Sequence, residues 1–187
     1  MLVLASASPR RQELLRNAGI PFIVRPTNIS EDALPGEGPR DCAERLAREK
    51  ALALPADADD FVLGADTVVF VAGEMIAKPV DAQDAARMLR MLSGRTHQVI
   101  TGVCLVRSMH NGFPDTRSEN TRVTMKPMSE EEIRQYVSSG EPMDKAGGYG
   151  IQGIASRWIS RIEGDYFNVV GLPVSLVYTM LREHGAI

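Results

Sequence analysis

The sequence predicts an α/β fold built on a mixed β-sheet flanked by helices. Three observations carry that prediction. Apolar runs of strand length alternate along the chain with segments whose apolar residues recur at the 3.6-residue helical period. Gly and Pro punctuate the boundaries between them. Two of the strand-like stretches, Val99 to Val106 and Thr121 to Met125, read as a pair turned around Asn111-Gly112. At 187 residues the chain is long enough for one domain with a full core, expected over 1–187.

The elements follow in order. Leu2-Val3-Leu4-Ala5 reads as a short buried strand. Ser8 and Pro9 suit the N-cap and first position of a helix whose apolar face is Leu14, Leu15 and Ala18, stopped at Gly19. Phe22-Ile23-Val24 is a second strand, and a loop rich in Pro, Gly and acid runs from Pro26 to Pro39. Cys42, Leu46, Ala47, Leu52 and Leu54 mark the next helix, ended near Pro55. A third strand runs from Phe61 through Asp66 to Val71, and Gly73 turns it back through Met75 and Ile76. Asp81 caps a helix with a core face of Ala85, Met88, Leu89 and Leu92, stopped at Gly94. After the paired strands, Ser129 and Glu132 form a capping box for a helix to Val137. A glycine cluster occupies 147–153, Trp158, Ile159 and Ile162 form another strand, and Pro173 to Leu181 the final helix.

Bulk properties exclude several functions. Apolar content of 44% and charged content of 24% are ordinary for a globular domain. A net charge of -3 without a basic stripe argues against nucleic-acid binding, as do the single Trp and sparse aromatics. No apolar run approaches the ~20 residues of a membrane span, and the apolar start is too short for a signal peptide. Cys42 and Cys104 form no C-x-x-C pair and fit a reducing compartment, so a cytoplasmic location is expected.

Four segments carry chemistry. The first is Ser6-Ala7-Ser8-Pro9-Arg10-Arg11, where a strand enters a helix through small hydroxyl residues. Free N–H groups and the helix dipole favour an anion there, and Ser6 and Ser8 add hydroxyl donors. Arg10 and Arg11 oppose the dipole, which a bound anion would compensate, and guanidinium forks suit phosphate. A plain helix cap with two solvated arginines accounts for this segment equally well. The second is Asp66, a charge inside the apolar run Val62 to Phe70, expensive unless paired or metal-bound. Gly64 and Ala65 leave room for a ligand beside it, and Glu31 and Asp32 are loop carboxylates able to converge on it; such oxygen ligands select Mg²⁺ or Mn²⁺. A carboxylate bonded to backbone at a strand bend is the alternative. His97, His110 and His184 lack metal-ligand spacing. The third segment type is the lysines Lys50 and Lys78, point charges for phosphate or simply solvated side chains. The fourth is Asp144 to Gly153, which holds four glycines in ten residues. Glycine lets backbone approach a ligand, Tyr149 offers a stacking face, and Gln152 offers a paired donor and acceptor for a planar base edge. A flexible loop with a buried Tyr is the competing reading.

Together these segments resemble the Maf family of nucleotide pyrophosphatases. The resemblance spans nearly the whole chain, through Ala47-Arg48-Glu49-Lys50-Ala51, Gly64-Ala65-Asp66-Thr67, Lys78-Pro79, Leu92-Ser93-Gly94-x-Thr96-His97, the 144–153 stretch and Val170-Gly171-Leu172-Pro173. It implies hydrolysis of a nucleoside triphosphate to the monophosphate and pyrophosphate, with a divalent cation. It implies an elongated mixed sheet like that of the inosine triphosphate pyrophosphatases. The family's proton acceptor falls on Asp66 and its specificity positions on Arg10, Thr67 and Gln152. Its loop acid falls on Glu31, a metal ligand with Asp66, and its lysines on Lys50 and Lys78. Lys145 joins Ser6, Ser8, Arg10, Arg11, Lys50, Thr67, Lys78 and Gln152 as substrate-binding. The 144–153 stretch is similar to the branch acting on dTTP and UTP. Ser30 stands where an acid often precedes Glu31, leaving one fewer carboxylate for metal. A 7-methyl-GTP or other modified-nucleotide pyrophosphatase, and a nucleotide-binding regulator of cell division with little turnover, are the rival readings. The expected partner is the nucleotide, with no nucleic acid and no membrane; a homodimer is left open.

Overall fold

The strand Leu2–Leu4 (β1) is hydrogen-bonded to parallel neighbours on both sides, because helices carry the chain back each time. Pro9–Asn17 (α1) leads to Ile23–Val24 (β2), and Pro39–Leu52 (α2) leads to Phe61–Val71 (β3). Registers are fixed by Val3 opposite Ile23 and Val62, and Leu4 opposite Val24 and Leu63. The chain then runs through Glu74–Ile76 (β4), Ala82–Leu92 (α3), Thr96–Arg107 (β5), Asp115–Met125 (β6), Glu130–Ser138 (α4), Ile159–Glu163 (β7), Tyr166–Val170 (α5) and Val174–Glu183 (α6). This computed structural model describes residues 1–54, 60–107 and 114–187. Among the described residues the strands form one seven-stranded sheet, in the order β2-β1-β3-β5-β6-β7 with β4 paired to β3. β4 on β3 and β7 on β6 are antiparallel, so the sheet is mixed, as expected.

The chain divides into two compact units. The first comprises Met1–Thr67, Thr101–Glu119 and Gly171–Ile187. One of its apolar clusters joins Val3, Ala5, Ala47, Ala51, Val62 and Cys104. Here α2 lies directly on the sheet. A Cβ at Gly64 of β3 would stand 2.0 Å from the Ala47 carbonyl oxygen, and one at Gly102 of β5 would stand 2.2 Å from that of Ala43. The space expected beside Gly64 for a ligand is therefore filled by helix backbone. The second unit comprises Val68–Ile100 and Asn120–Val170. Its core sets Met88, Leu89 and Leu92 of α3 and Ile133 and Tyr136 of α4 with Val69, Val99, Val123, Tyr149 and Trp158.

The sequence-derived elements recur with a few differences. β6 begins at Asp115 rather than Thr121, because residues 115–120 are polar and show no apolar alternation. The five-residue helix α5 is too short to display a helical period and leaves no pattern to read. Ser8 occupies the N-cap of α1, but its side chain makes no capping bond. The capping box at Ser129 and Glu132 forms as expected. α2 ends at Leu52, shortly before Pro55, as expected. Pro55 itself, the turn at Asn111-Gly112 and His110 lie outside the described residues.

Candidate active site

The first unit gathers most of the expected groups past the end of β1 and around the middle of β3. Close packing of α2 against Gly64 brings Lys50, near the end of that helix, over the strand two residues on. Lys50 Nζ donates to Asp66 Oδ1 at 2.6 Å and to Glu31 Oε1 at 2.5 Å. Lys50 and Asp66 are only 6% and 7% exposed, while Glu31 is on the surface. Pairing offsets the cost of burying Asp66, and the lysine in turn is held by two anions. Asp32, the other loop acid, instead accepts a hydrogen bond from Ser30 Oγ at 2.6 Å.

Beside this triad, Arg11 is buried and spends its fork on the protein. Nε donates to the Gly171 carbonyl at 2.8 Å, Nη1 to Ser6 Oγ at 3.2 Å and Nη2 to Thr67 Oγ1 at 3.1 Å. These acceptors, together with nearby acids, stabilise a cation that the helix dipole disfavours. Burial pushes the Arg11 pKa down, Asp66 and Glu31 pull it back up, and Arg10 adds to the lowering. Arginine only donates, so Ser6 and Thr67 accept from it and keep their own hydrogens to give. Ser6 Oγ also accepts from the Ser8 amide at 3.3 Å, which leaves its O–H to an outside acceptor. Thr67 shares a hydrogen bond with Thr101 at 2.9 Å. Arg10, in the first turn of α1, is half-buried.

The divalent cation implied by the resemblance would meet oxygen donors alone here. Asp66 and Glu31 both accept from the Lys50 ammonium, which sets the two carboxylates next to one another. Hard cations favour that chemistry. Among the described residues no group of three or more His, Cys, Asp or Glu gathers at one point. Phosphate oxygens and water would supply the remaining ligands. Among the described residues, too, no helix is long and apolar enough to cross a membrane.

The second unit holds Lys78, Lys145 and Gln152. Lys78 is exposed between β4 and α3. The carbonyl of its neighbour Ala77 accepts from the Gly147 amide at 3.0 Å, tying the lysine segment to the glycine-rich one. Gly147 has φ of 73° and packs where a Cβ would be 3.1 Å from Val69, so both conformation and space call for glycine. Lys145 is engaged locally: its Nζ donates to the Glu141 carbonyl and to Asp144 Oδ1, each at 2.6 Å. Gln152 is exposed. Tyr149 departs from the expectation of a stacking face. It is 5% exposed, lies edge-on to His97 with centroids 5.3 Å apart, and meets His97 Nε2 at 2.7 Å. Donation from the Tyr149 hydroxyl to Nε2 leaves the fewest unmet groups, and Nδ1 is buried with no hydrogen-bond partner among the described residues.

Burial holds the His97 pKa down at about 4. Above about pH 6.5 both folded and unfolded chains carry it neutral, and it adds no pH dependence. Between that value and about 4 the unfolded chain binds a proton that the folded chain refuses, so stability falls as the pH falls. The expected loss across this window is about 3 kcal/mol. Urea unfolding at pH 7 and pH 4.5 checks it: the drop should shrink in His97→Asn, and an equal drop in both proteins would remove His97 as its source.

Sequence reasoning does not find Thr101 or the Gly171 carbonyl, nor Tyr136 and Glu141 in the second unit. Thr101 sits in an ordinary strand pattern and gives no signal. Gly171 lies within a motif of the resemblance, but a backbone acceptor leaves no side chain to read.

What fold and site define is an α/β protein with a buried lysine-held carboxylate beside an arginine-ordered pair of hydroxyls. The sequence model of the family described as "Maf-like protein" matches residues 1–184. The chain belongs to that family. It is 54% identical over 187 residues to the dTTP/UTP pyrophosphatase of Koribacter versatilis, covering all of this chain and 95% of that one. It is 51% identical to the dTTP/UTP pyrophosphatase of Geobacter sulfurreducens, covering 100% and 97%, and 50% identical to that of Syntrophomonas wolfei, covering 97% and 96%. Among solved structures it is similar to a HAM1 protein from Coxiella burnetii, with 20% identity, a TM-score of 0.45, and coverage of 81% of this chain and 87% of that one.

Proposed function

We propose that the protein is a hydrolase that converts dTTP and UTP to the monophosphate and pyrophosphate, with residues 1–187 acting as one domain. The observation that carries this reading is the buried Asp66–Lys50 pair, joined by Glu31 at the surface, beside Arg11, Ser6 and Thr67. The names of its relatives support it. A divalent cation, Mg²⁺ or Mn²⁺, would be held by Asp66, Glu31 and the phosphates, and would neutralise charge on the reacting phosphoryl group.

Asp66 accepts the proton of a water that attacks the α-phosphorus in line. A P–O bond to the water oxygen forms, the α–β anhydride bond breaks, and pyrophosphate departs with the electron pair. Lys50 holds Asp66 in place and presents positive charge to the phosphates. Ser6 and Thr67, oriented by Arg11, offer O–H donors, and the remaining N–H bonds of the Arg11 fork face the same anion. Arg10 and Lys78 are assigned to phosphate as well, Arg10 with Thr67 also to specificity. Lys145 is assigned to the substrate set, although its ammonium serves the loop first. A cytoplasmic setting is part of the proposal and rests on two buried free thiols, Cys42 and Cys104.

Gln152 reads the uracil or thymine edge, whose O4 accepts and N3–H donates. Cytosine inverts both positions, and an unpaired polar group discriminates strongly. Gln152→Leu is expected to lose most of the preference for dTTP over CTP. Pyrophosphate release with Mg²⁺ on dTTP, UTP, CTP and 7-methyl-GTP measures it, and unchanged dTTP-over-CTP selectivity would refute the role.

A further inference from the structure

Gln152 stands in a turn closed by the Gly153 amide donating to the Gly150 carbonyl at 3.1 Å. With four glycines nearby, such a turn has much conformational freedom to lose, and an exposed glutamine on it would sample many poses. The turn is nevertheless tied on both sides. Before Gln152, the Gly150 amide donates to Tyr136 Oη at 3.2 Å. Tyr136 Oη donates to Glu141 Oε1 at 2.9 Å. After Gln152, the Ile154 amide donates to Glu141 Oε2 at 3.0 Å. Two amides that bracket Gln152 thus end on one carboxylate, one directly and one through a phenol.

The direction of every bond in this set is forced. Amides only donate and an ionised carboxylate only accepts, so the phenol oxygen takes the Gly150 hydrogen and gives its own to Glu141. Tyr136 is 1% exposed, and its ring is fixed against Trp158 with centroids 5.5 Å apart. Gly153 is what lets the carboxylate approach: a Cβ there would stand 2.3 Å from Glu141 Oε1. Lys145 adds a further tie by donating to the Glu141 carbonyl.

We propose that Tyr136 and Glu141 are positioning residues for base selectivity, fixing the Gly150–Ile154 turn so that the Gln152 carboxamide stands in one pose. They act through Gln152, and the inference rests on the base-reading role proposed for Gln152. Reading a donor–acceptor edge needs the carboxamide held to within a fraction of an ångström, which the turn alone does not provide. Tyr136 and Glu141 lie outside the 144–153 motif that points to the base site.

The test compares Tyr136→Phe, Glu141→Gln and Gln152→Leu with the parent protein. The readouts are kcat and KM for dTTP and CTP with Mg²⁺, and thermal melts. Tyr136→Phe keeps the ring against Trp158 and removes both bonds of its hydroxyl. Its dTTP-over-CTP ratio of kcat/KM is expected to fall about tenfold, mainly through a higher KM for dTTP. Placed in the Gln152→Leu background, the same change should leave the ratio untouched, because the reader is already gone. A purely structural role predicts a lower melting temperature with an unchanged ratio, and that result overturns the proposal. Should Tyr136→Phe fold poorly, Glu141→Gln carries the same expectation, since an amide has one oxygen and its NH2 only donates, so one of the two accepted bonds is lost. If Gln152→Leu itself keeps the parent ratio, the base-reading role falls and this inference with it. If Gln152→Leu loses selectivity while folded Tyr136→Phe and Glu141→Gln keep it, the inference alone falls.

Discussion

Asp66→Asn is expected to lower kcat on dTTP by ~10²–10⁴-fold while the protein stays folded. The side chains are nearly the same size, and the Asn oxygen still accepts from Lys50 Nζ, which remains paired to Glu31. What disappears is the charge and the basicity that a proton acceptor needs. The amide also replaces one oxygen with a nitrogen that cannot ligate a cation. Nucleotide binding to Arg11, Ser6 and Thr67 should persist, so the loss should fall on kcat rather than on dTTP affinity. Steady-state pyrophosphate release with Mg²⁺, far-UV circular dichroism and direct dTTP binding together separate these effects. A folded Asp66→Asn protein with parental kcat would end the assignment. A parent protein that binds dTTP yet shows no metal-dependent turnover would instead favour a regulator that uses the nucleotide as a signal.

Much of this site is legible in the sequence because it rests on local chemistry. A carboxylate amid Val62 to Phe70 cannot be solvated, so it announces a partner, and Lys50 is that partner. Two arginines at a helix start demand compensation, and that demand shows in the sequence. Its source does not: for Arg11 it comes from Gly171, Ser6 and Thr67, groups far apart in sequence that only the fold assembles. The same limit explains Gly64 and Tyr149. Glycine in a strand signals close approach, but the signal does not say whether a ligand or a helix approaches. An aromatic in a glycine-rich stretch reads equally well as a stacking platform or as an anchor, and the His97 contact makes it an anchor. Helices with a full apolar period match their sequence pattern with small boundary shifts. The polar start of β6 and the five-residue α5 carry too little pattern for that.

Gly64→Ala is expected to destabilise the protein and to damage the site at the same time. The added methyl would lie 2.0 Å from the Ala47 carbonyl oxygen and 2.7 Å from the Ala51 nitrogen. Both are helix backbone, so no side chain can swing aside; β3 or α2 must move as a body. Overpacking of this kind costs about 3 kcal/mol, toward the upper end for one methyl because the neighbour cannot adapt. For a chain of this length that corresponds to a melting temperature lower by roughly 6–12 °C. Lys50 lies on α2 between the two contact residues, and Asp66 lies two residues along β3 from the new methyl. Any outward shift of the helix therefore lengthens the 2.6 Å contact between Lys50 and Asp66. A displacement near 1 Å at a positioned group is worth ~10²-fold in rate. Measured below its lowered melting temperature, folded Gly64→Ala should lose activity well beyond its unfolded fraction. An alanine variant with the parent melting temperature and parent kcat would show that α2 does not rest on Gly64, and that close packing at this glycine is not what sets Lys50 over Asp66.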